Sequence, residues 1–330
     1  MNMILKSRSW AGFAGATAAI AVLLTTLVPA SAQTAPLKLR VGNLKFSGSV
    51  DLWLAQKNGM FAANGLDATL TDFRNGQECV AGVQANSVDI CLLIPGIAMQ
   101  ANERGFDLVV VAQNETAKAS GPDSGSIVVL KDSPFKTLAD LGGKKISTSG
   151  LHGQQTVAAQ MVLKRAGVDL SRIQLIESPT PTQPDLLKSK QVDAVITVDP
   201  YTTILQTSGV GRVLSWHFVE SVSEQPIGAW YAKAAFVKAN AEAATRYAKT
   251  IREAIDYVNA DEARTRRDVA EYTGLSPDLL STMPLNKWDY RIRPDRWQGV
   301  ADMLFEMGEL QSRHKAEEYL SDSIKPYIVK

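Results

Sequence analysis

A run of hydroxyl-bearing and glycine residues in the middle of the chain is the segment best suited to bind a small molecule. It reads Ser147-Thr148-Ser149-Gly150-Leu151-His152-Gly153-Gln154-Gln155-Thr156. The run leaves a predicted strand and enters a predicted helix, so several hydrogen-bond donors surround one point. His152 would add a positive charge when protonated. Because the run contains no lysine, it is not a phosphate loop, and Ser149, His152 and Gln154 are its candidate ligand contacts.

The loop over residues 43–49 offers similar chemistry near the start of the chain. It contains Lys45, Phe46 and Ser47 just before a predicted helix. Unpaired N–H groups and the helix dipole favour anions at such a start. The alternative is a serine that caps the helix beside an exposed lysine.

A second helix start is predicted at residues 75–78. Gly76 would let a ligand approach the backbone closely, and Gln77 and Glu78 are candidate direct contacts. A carboxylate there would repel an anionic ligand. Glu78 has an equally reasonable role as a first-turn acid that stabilises its own helix.

Four further positions complete the candidate set. Gly96 lies in a turn with apolar neighbours, which favours a ligand with a hydrocarbon or aromatic part, although ordinary turn chemistry explains it too. Asp199 and Tyr201 follow a predicted strand, where Tyr201 would stack on a flat ligand or donate its hydroxyl and Asp199 would contact the ligand or cap a helix. Trp230 would wall the pocket, unless it is a plain core residue.

The sequence contains no recognisable catalytic set. Its three histidines, His152, His217 and His314, have neither metal-ligand spacing nor a neighbouring nucleophile. Cys79 and Cys91 form either a disulfide or two buried thiols, and the spacing does not decide between them. No metal and no cofactor is expected.

Composition indicates an ordinary globular protein of about two domains. The chain has 330 residues, of which 45% are hydrophobic and 21% charged, with a net charge of +1. These values exclude a mainly disordered or fibrous chain. Charge is not concentrated in blocks, which argues against nucleic-acid binding.

The first 32 residues are typical of a secretory signal peptide. Lys6 and Arg8 precede an apolar stretch that ends in the small residues 30–32. Position 33 is glutamine, which disfavours a lipoprotein anchor. We therefore expect export, with the mature protein in a bacterial periplasm.

The mature chain alternates predicted strands and helices twice, which favours parallel α/β sheets. A helical third closes the chain. The predicted strands cover 37–41, 67–71, 88–94, 108–112, 126–130, 144–147, 172–176 and 192–198. The predicted helices cover 50–58, 77–86, 153–166, 240–259, 261–272 and 295–312.

The ordered set of segments resembles the periplasmic substrate-binding proteins of nitrate/sulfonate/taurine-type ABC importers. The resemblance extends from about residue 37 to 240 and includes Leu54-Ala55-Gln56-Lys57-Asn58-Gly59-Met60-Phe61, Thr137-Leu138-Ala139-Asp140-Leu141-Gly142-Gly143-Lys144 and Asp199-Pro200-Tyr201. It implies the α/β fold of a type II periplasmic binding protein, with parallel-type sheets and a ligand cleft between two lobes. It places lobe I at 33–115 plus 220–330 and lobe II at 116–219.

The implied function is capture of a small organic anion, a sulfonate or carboxylate with an apolar or aromatic part. A monomer would deliver this ligand to an ABC permease in the inner membrane, without chemistry and without nucleic acid. The main alternative is a thiamine-type pyrimidine precursor, which Glu78 and the aromatic rings would suit. A third possibility is an enzyme such as a desulfinase, with Cys79 as nucleophile.

Overall fold

A computed structural model describes residues 35–329, so the predicted signal over residues 1–32 lies outside the described residues. The strands are β1 (Leu37–Leu44), β2 (Leu66–Phe73), β3 (Ile90–Leu93), β4 (Leu108–Thr116), β5 (Gly125–Leu130), β6 (Lys145–Thr148), β7 (Gln174–Glu177), β8 (Ala194–Val198), β9 (Gly211–Ser215), β10 (Pro226–Lys233) and β11 (Lys287–Trp288). The helices are α1 (Val50–Lys57), α2 (Met60–Ala63), α3 (Gly76–Gln84), α4 (Pro95–Glu103), α5 (Gln154–Arg165), α6 (Gln183–Lys188), α7 (Tyr201–Thr207), α8 (His217–Ser221), α9 (Ala234–Ala239), α10 (Ala241–Asn259), α11 (Glu262–Thr273), α12 (Pro277–Thr282) and α13 (Pro294–Glu306).

These strands form two separate sheets. The first sheet has the order β11-β4-β10-β3-β1-β2, and the second has the order β7-β6-β8-β5-β9. Strands β1, β2 and β3 pair in parallel, as do β6, β7 and β8. The α/β class predicted from the sequence is confirmed.

Each sheet also contains antiparallel pairs, so the expectation of parallel sheets holds only in part. Strand β10 runs antiparallel to β3 and β4, and β5 runs antiparallel to β8 and β9. Both strands are the first that the chain forms after it passes from one sheet to the other. The division into lobes near residues 115 and 220 stays a prediction.

Strand β1 extends to Leu44, beyond the predicted end at residue 41. Its last residues continue the parallel ladder, with Gly42 opposite Thr71 on β2 and opposite Cys91 on β3. A Cβ atom at Gly42 would lie 2.5 Å from the Cys79 sulfur. Glycine is therefore present in this strand because the sheet and α3 approach each other too closely for a side chain.

Helix α13 is shorter than the predicted helix over 295–312. It ends at Glu306, and Gly308 adopts a left-handed φ of 77° just beyond it. Glycine takes this conformation without strain, which makes it a common residue after a helix end. The chain after α13 is thereby free to approach the loop that follows β6.

The first sheet is covered on both faces by hydrophobic cores. Core A contains Leu93, Tyr231 and Trp297, whereas core B contains Trp230 and Tyr247. Tyr231 and Trp230 are adjacent on β10 and point to opposite faces, as the two-residue period of a strand requires. A change of one position along the strand therefore moves a side chain to the opposite face of the sheet.

Helix α5 connects the two α/β halves of the molecule, each built around one of the two sheets, because the helix is buried on two sides. Val157, Ala158 and Met161 belong to core A of the first sheet. Ala159 and Val162 belong to a different cluster, on the second sheet. An apolar surface that covers most of a helix is typical of a helix enclosed by protein.

A disulfide connects α3 to β3. Cys79 and Cys91 are bonded, with their Cα atoms 6.1 Å apart, and both side chains are fully buried. The sequence left this pairing open, and the structure resolves it. None of the helices within residues 35–329 is both long enough and apolar enough to cross a membrane.

Removal of the disulfide should destabilise the protein markedly. The bond closes a loop across 12 positions, and a loop of that size is expected to contribute about 3 kcal/mol, mainly by restricting the unfolded chain. The double variant Cys79→Ala/Cys91→Ala should therefore lose about this much free energy of unfolding in urea titrations. Reductant should destabilise the wild type and leave the variant unchanged. Alkylation of both cysteines in native, unreduced protein would contradict the pairing.

Candidate functional site

A cavity of about 840 Å³ lies where the loops of the first sheet meet the loop after β6. This volume falls within the range of small-molecule sites in proteins. The lining residues are Leu44, Asn75, Gly76, Gln77, Val80, Ala81, Gln84, Ala85, Ile94, Ile97, Gln100, Ala101, Arg104, Phe106, Ser149, Gly150, His152, Gly153, Gln154, Gln155 and Thr156.

The lining combines apolar surface with amide and hydroxyl groups and contains no carboxylate. Among the described residues that line it, the ionisable side chains are Arg104 and His152. Amides and hydroxyls donate hydrogen bonds, and both ionisable groups are neutral or positive. The cavity is therefore suited to a partly apolar ligand that is neutral or negatively charged.

The loop after β6 contributes one exposed hydroxyl rather than three. Ser147 and Thr148 are fully buried and bond to Ser178 and Thr156 at 2.5 and 2.6 Å. Ser149 is exposed at the cavity. Its hydroxyl makes only a long, 3.4 Å hydrogen bond to Gln155. Ser149 is thus the one hydroxyl of the three that is free to face a ligand.

Helix α5 begins without a side-chain cap. Gly153 occupies the N-cap position with a φ of 118°, and no side chain accepts a hydrogen bond from the first turn. This backbone conformation is accessible to glycine and strained for other residues. The first-turn N–H groups therefore lack a side-chain acceptor at one wall of the cavity.

Gln154 connects the second sheet to the first. Its Oε1 accepts from the Gly96 N–H at 3.1 Å, and its Nε2 donates to Gln225 Oε1 and to the Pro226 carbonyl at 2.9 and 2.8 Å. The side chain is 1% exposed. The polar atoms of Gln154 are thus engaged by protein, and its role in this structure is to hold the cavity walls together.

His152 makes the second connection across the cavity. Its Nδ1 lies 3.0 Å from Glu309 Oε1, whose other carboxylate oxygen accepts from Gln100 at 2.8 Å. The imidazole is largely exposed. A bound ligand would meet His152 at the mouth of the cavity rather than in its interior.

Helix α3 begins at the cavity and resolves the ambiguity over Glu78. Asn75 caps the helix, because its side chain accepts a hydrogen bond from the Glu78 N–H at 2.9 Å. Gln77 is exposed and lines the cavity. The Glu78 carboxylate pairs with Arg74, which lowers the pKa of Glu78. Glu78 lies outside the lining and acts as the first-turn acid. Gly76 packs against Ile97, where a Cβ would lie 2.7 Å from that side chain.

The loop after β1 reaches the cavity through Leu44 and not through the predicted contacts. Lys45 lies over the Tyr272 ring at 5.6 Å. Phe46 is 38% exposed, and neither Phe46 nor Ser47 lines the cavity. The structure therefore does not bring Lys45, Phe46 and Ser47 to the walls that Gln77 and Ser149 share.

Three other predicted contacts also lie elsewhere. Asp199 accepts from the Thr203 N–H and hydroxyl at 3.0 and 2.7 Å, so it caps α7, and burial raises its pKa to about 6. Tyr201 begins that helix outside the lining. Trp230 is fully buried in core B and makes an edge contact with Tyr247, on the face of the sheet opposite α3 and α4. The interpretation of Trp230 as a pocket wall is therefore corrected: it is a core residue.

The part of the cavity that follows two helices was not among the contacts predicted from the sequence. Arg104 and Phe106 lie far along the chain from any helix start, and Ala81 and Ala101 carry no chemical signal of their own. The missed residues lie three and four positions apart along each helix, so they share one face of that helix. The spacing was visible in the sequence, but the exposure of this face depends on how α3 and α4 pack together.

Two buried acids lie behind the loop that contains Gly48. Asn114 donates to the Gly48 carbonyl at 3.2 Å and to Asp51 at 2.9 Å, and Asn286 donates to Glu115 at 2.7 Å. Burial is the main cause that raises the pKa of Asp51 to about 7 and that of Glu115 to about 8. Both carboxyls therefore hold a proton well above the usual pH range, Asp51 up to about pH 7 and Glu115 up to about pH 8.

Residues 35–329 contain no cluster of three or more histidine, cysteine or acidic side chains that could hold a metal ion.

The two sheets, with a cavity at the loops between them, define the architecture of a two-lobed solute-binding protein. The chain belongs to the NMT1-like family, whose model matches residues 32–274.

Individual relatives agree with this assignment. A protein of Brucella abortus named as a binding protein is 26% identical over 90% of this chain and 94% of its own length. The structure is similar to that of the periplasmic aliphatic sulphonate-binding protein SsuA of Escherichia coli. That pair has a TM-score of 0.74 at 19% identity, and the match covers 86% of this chain and 97% of SsuA. The desulfurization enzyme DszB shares the fold, with a TM-score of 0.65 at 13% identity over 88% of this chain and 98% of its own.

Substitution of Gln154 should weaken the connection between the sheets. Gln154→Ala would leave the Gly96 N–H and the Pro226 carbonyl without the partners they have now, and unsatisfied buried groups cost about 1–3 kcal/mol each. We expect a loss of about 3 kcal/mol in the free energy of unfolding. Gln155→Ala is the matched control, since its bonds are long, and should cost less than about 1 kcal/mol. Equal losses in the two variants would contradict the special role of Gln154.

The two buried acids should each make a contribution to stability that is lost as the pH rises. A carboxyl with a raised folded pKa stabilises the protein fully below its unfolded pKa, and this contribution is lost as the pH rises through the folded value. For Glu115 the interval runs from 4.5 to about 8, and the slope reaches at most about 1.4 kcal/mol per pH unit. Chemical denaturation between pH 5 and 8 should show a smaller slope for Glu115→Gln than for wild type. The exposed control Glu306→Gln should retain the wild-type slope, and an unchanged slope in Glu115→Gln would refute the assignment.

Proposed function

We propose that this protein is the solute-binding component of an ABC importer, and that it captures a small organic anion with an apolar part. The observation that carries the proposal is the cavity lining, which contains apolar walls, amide and hydroxyl donors, Arg104 and His152, but no carboxylate. Sulfonates and carboxylates have this combination of one charged end and an apolar body. The protein would release the ligand unchanged to an inner-membrane permease.

Several observations support the proposal. The family assignment and the Brucella relative indicate a binding protein, and the similar SsuA structure is that of a protein named for aliphatic sulphonates. The uncapped start of α5 presents N–H groups at the wall of the cavity. Such groups favour negative charge.

The two alternatives have less support. The pyrimidine hypothesis relied on Glu78, whose carboxylate is paired with Arg74 outside the lining. The enzyme hypothesis relied on a Cys79 thiol, which is bonded to Cys91 and fully buried. A thiolate nucleophile requires a free and accessible cysteine. The protein shares its fold with DszB, but Cys79 does not supply the free thiol that the enzyme hypothesis needs.

We place the protein in the periplasm and expect it to act as a monomer. A disulfide forms and persists in oxidising compartments, which agrees with the export signal predicted over residues 1–32.

Isothermal titration calorimetry with a ligand panel tests the proposal. We expect alkane- and arylsulfonates or carboxylates to bind with micromolar affinity, and nitrate and aminopyrimidines to bind much more weakly. Gln77→Ala should reduce affinity by about tenfold or more, because a hydrogen bond to a charged group contributes about 1.5–3 kcal/mol. Gln56→Ala, on the exposed face of α1 and outside the lining, should bind as wild type does.

Two results would oppose the proposal. Binding of aminopyrimidines without binding of anions would favour the alternative ligand class. Turnover of a bound sulfonate or sulfinate, detected by release of sulfite, would favour an enzyme.

A further inference from the structure

The cavity is larger than a small anion needs, because it continues along a groove between α3 and α4. The floor is formed by apolar side chains at successive turns, Val80 and Ala81 on α3 and Ile97 and Ala101 on α4. Residues three and four positions apart share a helix face. Small alanines on both helices leave an open channel between them.

Amide groups border this apolar floor. Gln77 and Gln84 lie on α3, and Gln100 lies on α4. Gln100 is held in place by its 2.8 Å hydrogen bond to Glu309. An apolar floor with a polar, uncharged border suits a hydrocarbon chain, since the floor offers contact and the border costs no buried charge.

The far end of the groove carries a positive charge. Arg104 is exposed there, beside Phe106. Each ion pair within residues 35–329 involves other side chains. The neighbouring acid, Glu103, instead accepts from the Gln311 and Ser312 N–H groups at 2.8 and 3.1 Å. The guanidinium therefore remains available to an anion at the end of the channel.

The length of the groove follows from the helix rise. Ile97 and Arg104 are seven positions apart, which corresponds to about 10 Å at 1.5 Å per residue. An extended chain advances about 1.2 Å per covalent bond, as the backbone does. A chain of about eight carbon atoms would thus cover the interval from Ile97 to Arg104.

We propose that the groove between α3 and α4 is a subsite for the hydrocarbon chain of an elongated anion, and that Arg104 binds a second anionic group at the end of that chain. This inference rests on the proposed function and specifies its ligand class. The preferred ligands are α,ω-dianions with about eight carbons, held at the first charge by the donors near Ser149 and the start of α5.

Calorimetry with two homologous series tests the subsite. The probes are alkane-1-sulfonates from two to ten carbons and α,ω-alkanedisulfonates of the same lengths. For the wild type we expect affinity to rise about threefold per methylene up to about eight carbons. The disulfonate of eight carbons should bind about threefold more tightly than the monosulfonate, as an exposed ion pair permits.

Two variants with matched controls separate the parts of the groove. Ala81→Leu places a larger side chain in the channel and should remove the dependence on length beyond short chains. Ala62→Leu, on the exposed face of α2, should retain it. Arg104→Gln should lose the preference for disulfonates over monosulfonates of the same length, and Arg172→Gln should retain the wild-type preference. Thermal melts establish that each variant is folded.

The outcomes distinguish this inference from the proposed function. Short sulfonates that bind with no effect of chain length or second charge would overturn the subsite and leave the proposed function intact. Failure of every anion to bind would overturn both. A wild-type length series in Ala81→Leu would show that the chain lies elsewhere and would overturn the assignment of the groove.

Discussion

The burial of α5 on two sides is the constraint on which the site depends. Val157 and Met161 pack into core A, while Val162 packs into the core of the second sheet. This packing fixes the start of the helix, so that Gln154 meets the Gly96 N–H and the exposed Ser149 faces the cavity. The cavity walls come from two sheets, and helix α5 with its amide cross-link connects them, together with the contact of His152 with Glu309.

The distribution of charge supports the same arrangement. The acidic side chains nearest the cavity are engaged by protein partners, because Glu78 binds Arg74 and Glu309 binds Gln100 and His152. Asp51 and Glu115 are buried behind the loop, and burial raises their pKa values to about 7 and about 8, which reduces their negative charge near neutral pH. Amide donors, hydroxyl donors and Arg104 therefore dominate the electrostatics that a ligand meets.

Local patterns in the sequence predicted the fold better than they predicted the site. Alternation and apolar spacing located eight of the eleven strands and the helices α1, α3, α5, α10, α11 and α13 of the described residues, because these signals are local. The hydroxyl and glycine run located the loop after β6 for the same reason. Trp230 was misplaced because the face of a strand changes with each residue, and Arg104 was missed because the groove exists only once α3 and α4 pack together. The Arg74–Glu78 pair, at a helical spacing of four, was a local signal that could have excluded Glu78.

The double burial of α5 has a consequence for how the protein melts. Two α/β halves joined by exposed linkers commonly lose structure one after the other. Here the same helix supplies side chains to the hydrophobic interiors of both halves, so neither half can lose its structure without exposing apolar surface of the other. The two halves should therefore denature cooperatively, as a single thermodynamic unit.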